Sequence, residues 1–137
     1  MFVKRLRNVN HRLEEVELQR LVSRNYDFAP KIHKLEFVDN DCLVYMDDVG
    51  KCLADIYGDA PDKIPMYIWS EIHEIVRILY EEEGIEYEDI TPYNFTEKDG
   101  KIYIIDFGHA RYALKDTINW FLREFLDGEN SWNPDYK

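Results

Sequence analysis

Apolar side chains recur along this chain at helical spacing in three places. The clearest helix ends at Gly84, a natural C-cap, and its apolar residues fall at +4, +7, +8 and +11 on one face of a 3.6-residue repeat. They are Ile68, Ile72, Ile75, Val76 and Leu79. Similar spacing predicts a helix over residues 11–24, with Asn10 as its N-cap, and another over roughly residues 116–127, closed by Gly128.

Shorter apolar runs predict the strands. Residues 2–6 form one, and the runs HKLEFV and CLVYM are joined by Asp39-Asn40-Asp41, which is typical of a hairpin turn. A second hairpin is predicted at Asp99-Gly100, ahead of the strand KIYII. With residues 47–51 as a connector, the order is strand, helix, hairpin, connector, helix, hairpin, helix. This order predicts the α+β class, with a small sheet-containing N-terminal part and a helical C-terminal part.

Composition narrows the class of protein. The 137 residues fit a single domain, 1–137, and the 45% hydrophobic and 15% aromatic content excludes disorder as the main state. No apolar run approaches the ~20 residues that cross a bilayer, and the N-terminus has no signal-peptide core, so we expect no membrane association. Cys42 and Cys52 lack metal-ligand or CxxC spacing. We therefore expect a soluble protein of the cytoplasm, in a reducing intracellular compartment.

Charge is unevenly distributed along the chain. The net charge of −11 argues against a nucleic-acid partner, because phosphate binding depends on Lys and Arg. Residues 1–34 carry eight basic and four acidic groups, a net of +4, so the rest carries −15. A basic end facing an acidic body fits a small phosphate ligand held between them, and it fits equally a solvated surface of uneven charge.

Two short motifs carry the candidate chemistry. Asp89 and Asn94 have the spacing D-x-x-x-x-N, and Asp106-Phe107-Gly108 follows the apolar strand Ile102–Ile105. Taken singly, Asp89 could cap a turn, Asn94 could form an Asx-turn and Asp106 could end a strand. In this order, with a helix before them and a hairpin between them, they resemble the catalytic loop and metal-binding motif of the protein kinase-like family.

The resemblance implies a Mg²⁺-ATP site, with Mn²⁺ as a substitute. It implies that Asp106 and the amide oxygen of Asn94 bind the metal, whose charge offsets that of the transferring phosphoryl group. Asp89 would accept or orient the proton of the attacking hydroxyl. Gly108 would let the chain turn sharply after Asp106.

The same resemblance assigns roles in the N-terminal half. It implies that Lys4, on the first strand, anchors nucleotide phosphates and pairs with Glu17 on the next helix, with Glu14 as an alternative. Asp47, Asp48 and Val49 would form the hinge that binds adenine. The implied layout is a reduced N-lobe over residues 1–46, a hinge over 47–52 and a truncated, mainly helical C-lobe over 53–137.

The chain departs from the family pattern in several ways. It has no G-x-G-x-x-G segment, and Tyr87-Glu88 replaces the usual His-Arg before the catalytic Asp. Only seven residues separate Gly108 from Asp116, and no A-P-E follows. The resemblance is therefore to a minimal kinase core, similar to the small atypical RIO- and KEOPS-type kinases and to short viral kinase-like proteins.

Three functional hypotheses follow. The first is a Mg-ATP-dependent phosphotransferase of the serine/threonine protein kinase type, acting on an unknown protein. The second is a pseudokinase-like module that binds nucleotide or a protein partner without robust catalysis, with Trp120, Trp132 and Tyr136 as candidate contacts. For these aromatics we expect instead that Trp120 packs in the core and the other two lie in a flexible tail. The third is a structural domain with coincidental motifs.

Overall fold

The protein has an α+β fold built from small antiparallel sheets and four α-helices in the part that the structure describes. The structure is a computed structural model that describes residues 1–9, 13–114 and 117–134. Its strands are β1 Phe2–Leu6, β2 Ile32–Val38, β3 Asp41–Met46, β4 Lys51–Cys52, β5 Ile85–Glu86, β6 Phe95–Lys98, β7 Lys101–Ile104 and β8 Arg111–Tyr112. Its helices are α1 Glu14–Asn25, α2 Leu53–Tyr57, α3 Met66–Glu83 and α4 Trp120–Leu126. The α+β class predicted from the sequence is thus the class observed.

The N-terminal sheet has the strand order β1-β3-β2, with β3 in the centre. Strand β3 alternates in burial, and its buried side chains meet Leu6, Val9 and Val16 in a small core. The β2–β3 hairpin confirms the predicted turn, in which Asp39 has a positive φ of 56°. In the antiparallel pairing of β1 with β3, Lys4 lies opposite Val44, which fixes the position of Lys4 along the sheet.

Helix α1 links this small core to a larger one. Val16 packs against the N-terminal sheet, whereas Leu18 and Val22 belong to the larger core. The predicted N-cap, Asn10, lies outside the described residues. The helix starts after Leu13, with no side-chain hydrogen bond at its cap.

Helix α3 is the centre of the larger core. All five predicted apolar positions are buried, and each contributes about 1.5–3 kcal/mol relative to exposure. Gly84 ends the helix in the left-handed region, at φ 67°, and its N–H donates to the carbonyls of Leu79 and Tyr80. This confirms the predicted helix and its cap.

A second sheet, in the order β4-β6-β7, joins the connector to the predicted second hairpin. Asp99 and Gly100 both have positive φ, at 53° and 80°, as a type I′ turn requires. Cys42 and Cys52 are both free thiols.

The C-terminal segment differs from the expectation. Helix α4 begins at Trp120, because the Asn119 side chain caps it by accepting from the N–H groups of Phe121 and Leu122. The indole of Trp120 is 60% exposed, whereas Trp132 packs against Trp69 with ring centroids 4.4 Å apart. The expected roles of the two tryptophans are thus reversed, and Tyr136 lies outside the described residues.

Candidate active site

The loop between β5 and β6 holds Asp89 and Asn94 in a fixed arrangement. The Asn94 side-chain Nδ2 donates to the Asp89 carbonyl oxygen at 2.9 Å, which closes the loop across the five-residue spacing. The Asn94 carbonyl in turn accepts from the N–H of Ile105 at 3.0 Å, next to Asp106. Both side chains are buried, and Asp89 is only 6% exposed. The two motifs are therefore joined through the backbone.

Asp106 lies just beyond β7, at a sharp bend. Its Oδ1 accepts from the N–H of Gly108 at 2.8 Å and lies 3.3 Å from the ammonium of Lys4. A side-chain Cβ at Gly108 would come within 3.0 Å of that same oxygen, so glycine leaves room for this turn. Phe107 is buried in the larger core and anchors the bend.

Lys4 has a carboxylate partner on α1, and it is Glu15. Lys4 Nζ lies 2.9 Å from Glu15 Oε2, whereas Glu17 and Glu14 are exposed. This corrects the predicted pairing with Glu17. Glu17 lies two residues on from Glu15, and residues two apart do not share a helix face.

The electrostatics of the ion pairs keep Lys4 charged. Burial alone would lower the pKa of Lys4, but the attraction of Asp106 and Glu15 together outweighs it, so this pKa is raised. Lys4 thus keeps its positive charge between Asp106 and Glu15.

Burial shifts the pKa of Asp89 upward, whereas its effect on the pKa of Lys4 is downward. Desolvation raises the pKa of Asp89, and the negative charge of Asp106 adds to it, against the lowering effects of Asn94, His109 and Lys4. A carboxylate with a raised pKa is a stronger proton acceptor. Asp89, Asp106 and Lys4 are thus close enough for their charges to affect one another.

Tyr87 connects the two motifs from inside the core. It is fully buried, and its hydroxyl donates to the Asp106 carbonyl oxygen. Burial raises the pKa of Tyr87 well above its usual value, and the charges of Asp106 and Asp89 contribute, so the phenol remains a neutral donor.

Three residues around this site were not among those predicted. Glu15 had a signal in the sequence: counting back from the apolar residues Leu18 and Val22 at helical spacing leads to position 15. Arg111 contacts the carboxylates of Glu86 and Glu88, and Asn133 donates through Nδ2 to the Glu88 carbonyl at 2.7 Å. These three contacts join residues far apart in sequence, and no local pattern indicates them.

The predicted hinge residues border a cavity away from the candidate site residues. Asp47 pairs with His33, and the Asp48 carbonyl accepts from Lys98 Nζ at 2.9 Å. Together with Val49 they border a cavity of about 670 Å³, whose other lining residues are Tyr26, Asp27, Ala29, Pro30, Lys31, Lys98, Asp99, Lys101 and Tyr103. Lys4, Asp89, Asn94 and Asp106 are not in its lining. The structure therefore brings those four close together, whereas the hinge residues border a cavity that those four do not line.

Asn94 and Asp106 have the oxygen atoms that a magnesium ion prefers. Since Nδ2 of Asn94 is committed to Asp89, its Oδ1 remains the accepting atom, and Oδ2 of Asp106 is the carboxylate oxygen not used by Lys4 or Gly108. In the described residues, no group of three or more Asp, Glu, His or Cys side chains could hold a metal ion. A pair of protein oxygens suits Mg²⁺ that is bound together with nucleotide phosphates.

Comparison with known proteins gives a kinase-like relationship at most. No family model matches the chain. It is 26% identical over 98 residues to a protein of Encephalitozoon cuniculi (strain GB-M1) described as a probable serine/threonine-protein kinase RIO1 homolog. The match covers 70% of this chain and 25% of that protein, so the chain spans about a quarter of its relative's length.

Among the described helices, none is both long and apolar enough to span a bilayer.

Proposed function

We propose that this chain is a kinase-like phosphotransferase core that binds Mg-ATP and transfers its γ-phosphoryl group to a hydroxyl, of the serine/threonine protein kinase type. The observation that carries the proposal is the joining of Lys4, Glu15 and Asp106 by ion pairs of 2.9 and 3.3 Å beside the buried Asp89–Asn94 loop. These groups come from a strand, a helix and two loops distant in sequence. Their proximity in the fold supports the proposal over the hypothesis of coincidental motifs.

Each residue has a role that its environment supports. Lys4, oriented by Glu15, would anchor nucleotide phosphates. Asn94 and Asp106 would hold Mg²⁺, which when bound offsets the negative charge of the phosphates. Asp89, whose pKa is raised by burial, would take the proton of the attacking hydroxyl.

The adenine would lie along the connector, at Asp47, Asp48 and Val49. The support for this is the β1–β3 register, which pairs Phe2 with Met46 and so brings the start of the Lys4 strand beside the connector. The hydroxyl acceptor would belong to another protein.

A second candidate function is a nucleotide- or protein-binding module without robust catalysis. Its support is Trp120, a residue that is 60% exposed at the start of α4 and is of a type enriched in protein interfaces. In this case nucleotide binding would stabilise the fold without turnover.

The test is phosphoryl transfer from radiolabelled ATP with the wild type, Asp89→Ala and a control, Asp62→Ala. Asp62 is an exposed aspartate in the 3₁₀ turn Pro61–Lys63, away from the motifs. We expect Asp89→Ala to lower turnover by about 10²–10⁴-fold and to keep nucleotide binding, with Asp62→Ala unchanged. Full turnover by Asp89→Ala would exclude the proposed role. Binding by the wild type without any transfer would favour the second candidate.

A further inference from the structure

Two buried carboxylates flank Tyr87 on the segment that leads to Asp89. The side chains of Glu86 and Glu88 are 4% and 9% exposed. They alternate with Tyr87 along an extended chain and so point to the same side. Because buried carboxylates need a cation or several donors, this side of the loop requires a positively charged partner.

Arg111 supplies that partner from β8. Its two terminal nitrogens contact different carboxylates, Nη2 with Glu86 at 3.2 Å and Nη1 with Glu88 at 2.9 Å. Strands β5 and β8 pair over only two residues each, a ladder too short to be stable alone. The guanidinium therefore adds a firm connection between the two segments.

This connection closes a ring around the candidate catalytic groups. Arg111 lies five residues after Asp106, and Glu88 directly precedes Asp89. On the other side of the chain, the Tyr87 hydroxyl donates to the Asp106 carbonyl. The segment that leads to Asp89 is thus tied to the segment around Asp106 by Arg111 on one side and by Tyr87 on the other, in addition to the backbone link from Ile105 to Asn94.

We propose that Arg111 is a positioning residue, which holds Asp89 and Asp106 in fixed relation by clamping β8 to the loop through Glu86 and Glu88. The consequence for turnover rests on the proposed function, whereas the clamp itself does not. A guanidinium can bridge two carboxylates at once, and a lysine ammonium cannot present the same planar fork.

The test compares Arg111→Met with Arg77→Met in the full chain. Arg77 is a matched control, because it also contacts two carboxylates, Glu74 and Glu81, on the exposed face of α3. The readouts are amide hydrogen exchange over residues 85–91, and kcat and KM for Mg-ATP. We expect Arg111→Met to raise exchange there about tenfold and to lower kcat about 100-fold at unchanged KM, and Arg77→Met to change neither.

A triple variant separates positioning from simple charge neutralisation. Glu86→Gln and Glu88→Gln, combined with Arg111→Met, remove the unpaired buried charges, so we expect stability to recover while kcat stays low. Recovery of kcat as well would overturn the positioning role. If Arg111→Met does not fold, Arg111→Lys is used, and full kcat in that variant would equally contradict the proposal.

The exchange measurement also separates the two hypotheses. If the wild type transfers no phosphate, the proposed function fails, and faster exchange in Arg111→Met still supports the clamp. Unchanged exchange over residues 85–91 overturns the clamp whatever the activity.

Discussion

Lys4 has two carboxylate partners, and they come from opposite sides of the site. Glu15 reaches it from α1 and Asp106 from the end of β7, and both contacts lie within 3.3 Å. Strand β1 pairs with β3, and the ammonium of Lys4 links this strand to the Asp106 turn. Glu15 pairs with Lys4 because it lies on the face of α1 that points toward Lys4, whereas Glu17 lies on an exposed face of the same helix.

The first prediction compares two glutamates of the same helix. Glu15→Gln removes a partner of Lys4, so we expect weaker Mg-ATP binding by about tenfold, whereas Glu17→Gln should bind as the wild type does. Isothermal titration with a non-hydrolysable ATP analogue measures both. Equal affinities of the two variants would show that the Lys4–Glu15 pair does not support nucleotide binding.

The second prediction concerns the buried charge of Asp89. Its folded pKa is raised, so the folded state holds the proton more tightly than the unfolded chain does, and the ionised form destabilises the fold. We therefore expect Asp89→Asn to raise the free energy of unfolding at pH 7 by roughly 0.5–2 kcal/mol. The gain should disappear as the pH falls below the usual aspartate pKa of 3.8.

Denaturant unfolding of the metal-free protein between pH 3 and pH 8 checks this. A stability gain for Asp89→Asn that is the same at every pH would contradict the account, because it would not arise from ionisation.

At the scale of elements, the connector between β3 and β4 is held tightly against β6. Gly50 has a φ of 93°, and a Cβ there would come within 2.7 Å of the Glu97 carbonyl oxygen. Lys98 adds a hydrogen bond to the Asp48 carbonyl. The connector between the N-terminal sheet and β4 is therefore packed closely against β6.

The third prediction uses two glycines with similar positive φ angles. Gly58 has a φ of 86° but nothing within 4 Å of its Cβ position. We expect Gly58→Ala to cost about 1 kcal/mol from backbone strain alone, and Gly50→Ala to cost a further 1–3 kcal/mol because the methyl group meets backbone. Thermal unfolding measures both, and equal losses would mean that the connector yields to the added methyl group.

The elements also show how far the sequence predicts this fold. Helix α3 and both hairpins follow from local signals, namely the apolar repeat ending at Gly84 and the turn residues at Asp39 and Asp99. Strands β5 and β8 have no such signal, because two-residue strands are set by their partners and not by their own composition. Trp120 lies exposed at the first position of α4, after the Asn119 cap, and Trp132 packs against Trp69, a contact between residues far apart in sequence that no local pattern indicates.

The candidate site also combines residues that local sequence patterns predict with contacts that they do not. Asp89, Asn94 and Asp106 are recognisable because their spacing is short and local. The contacts of Arg111 and Asn133 with the Asp89 loop join residues 23 to 45 positions apart, so only the folded chain shows them.

At the scale of the whole molecule, the basic N-terminal segment of the sequence meets the acidic remainder at the candidate site. The basic Lys4 of the N-terminal sheet lies between the acidic side chains of Glu15 and Asp106, and the buried carboxylate of Asp89 is close enough to interact with both Lys4 and Asp106. Such a site carries excess negative charge. A nucleotide would therefore need its divalent cation in order to bind, since free ATP adds further negative charge.

The most direct test of this account is thermal unfolding with ATP, with and without Mg²⁺, on the wild type and on Asp106→Asn. Because a ligand that binds only the folded state raises Tm, we predict a clear increase for the wild type with Mg-ATP, little with ATP alone, and loss of the increase in Asp106→Asn. An equal shift in the presence and absence of Mg²⁺, or no shift at millimolar Mg-ATP, would contradict a nucleotide–metal site at Asp106.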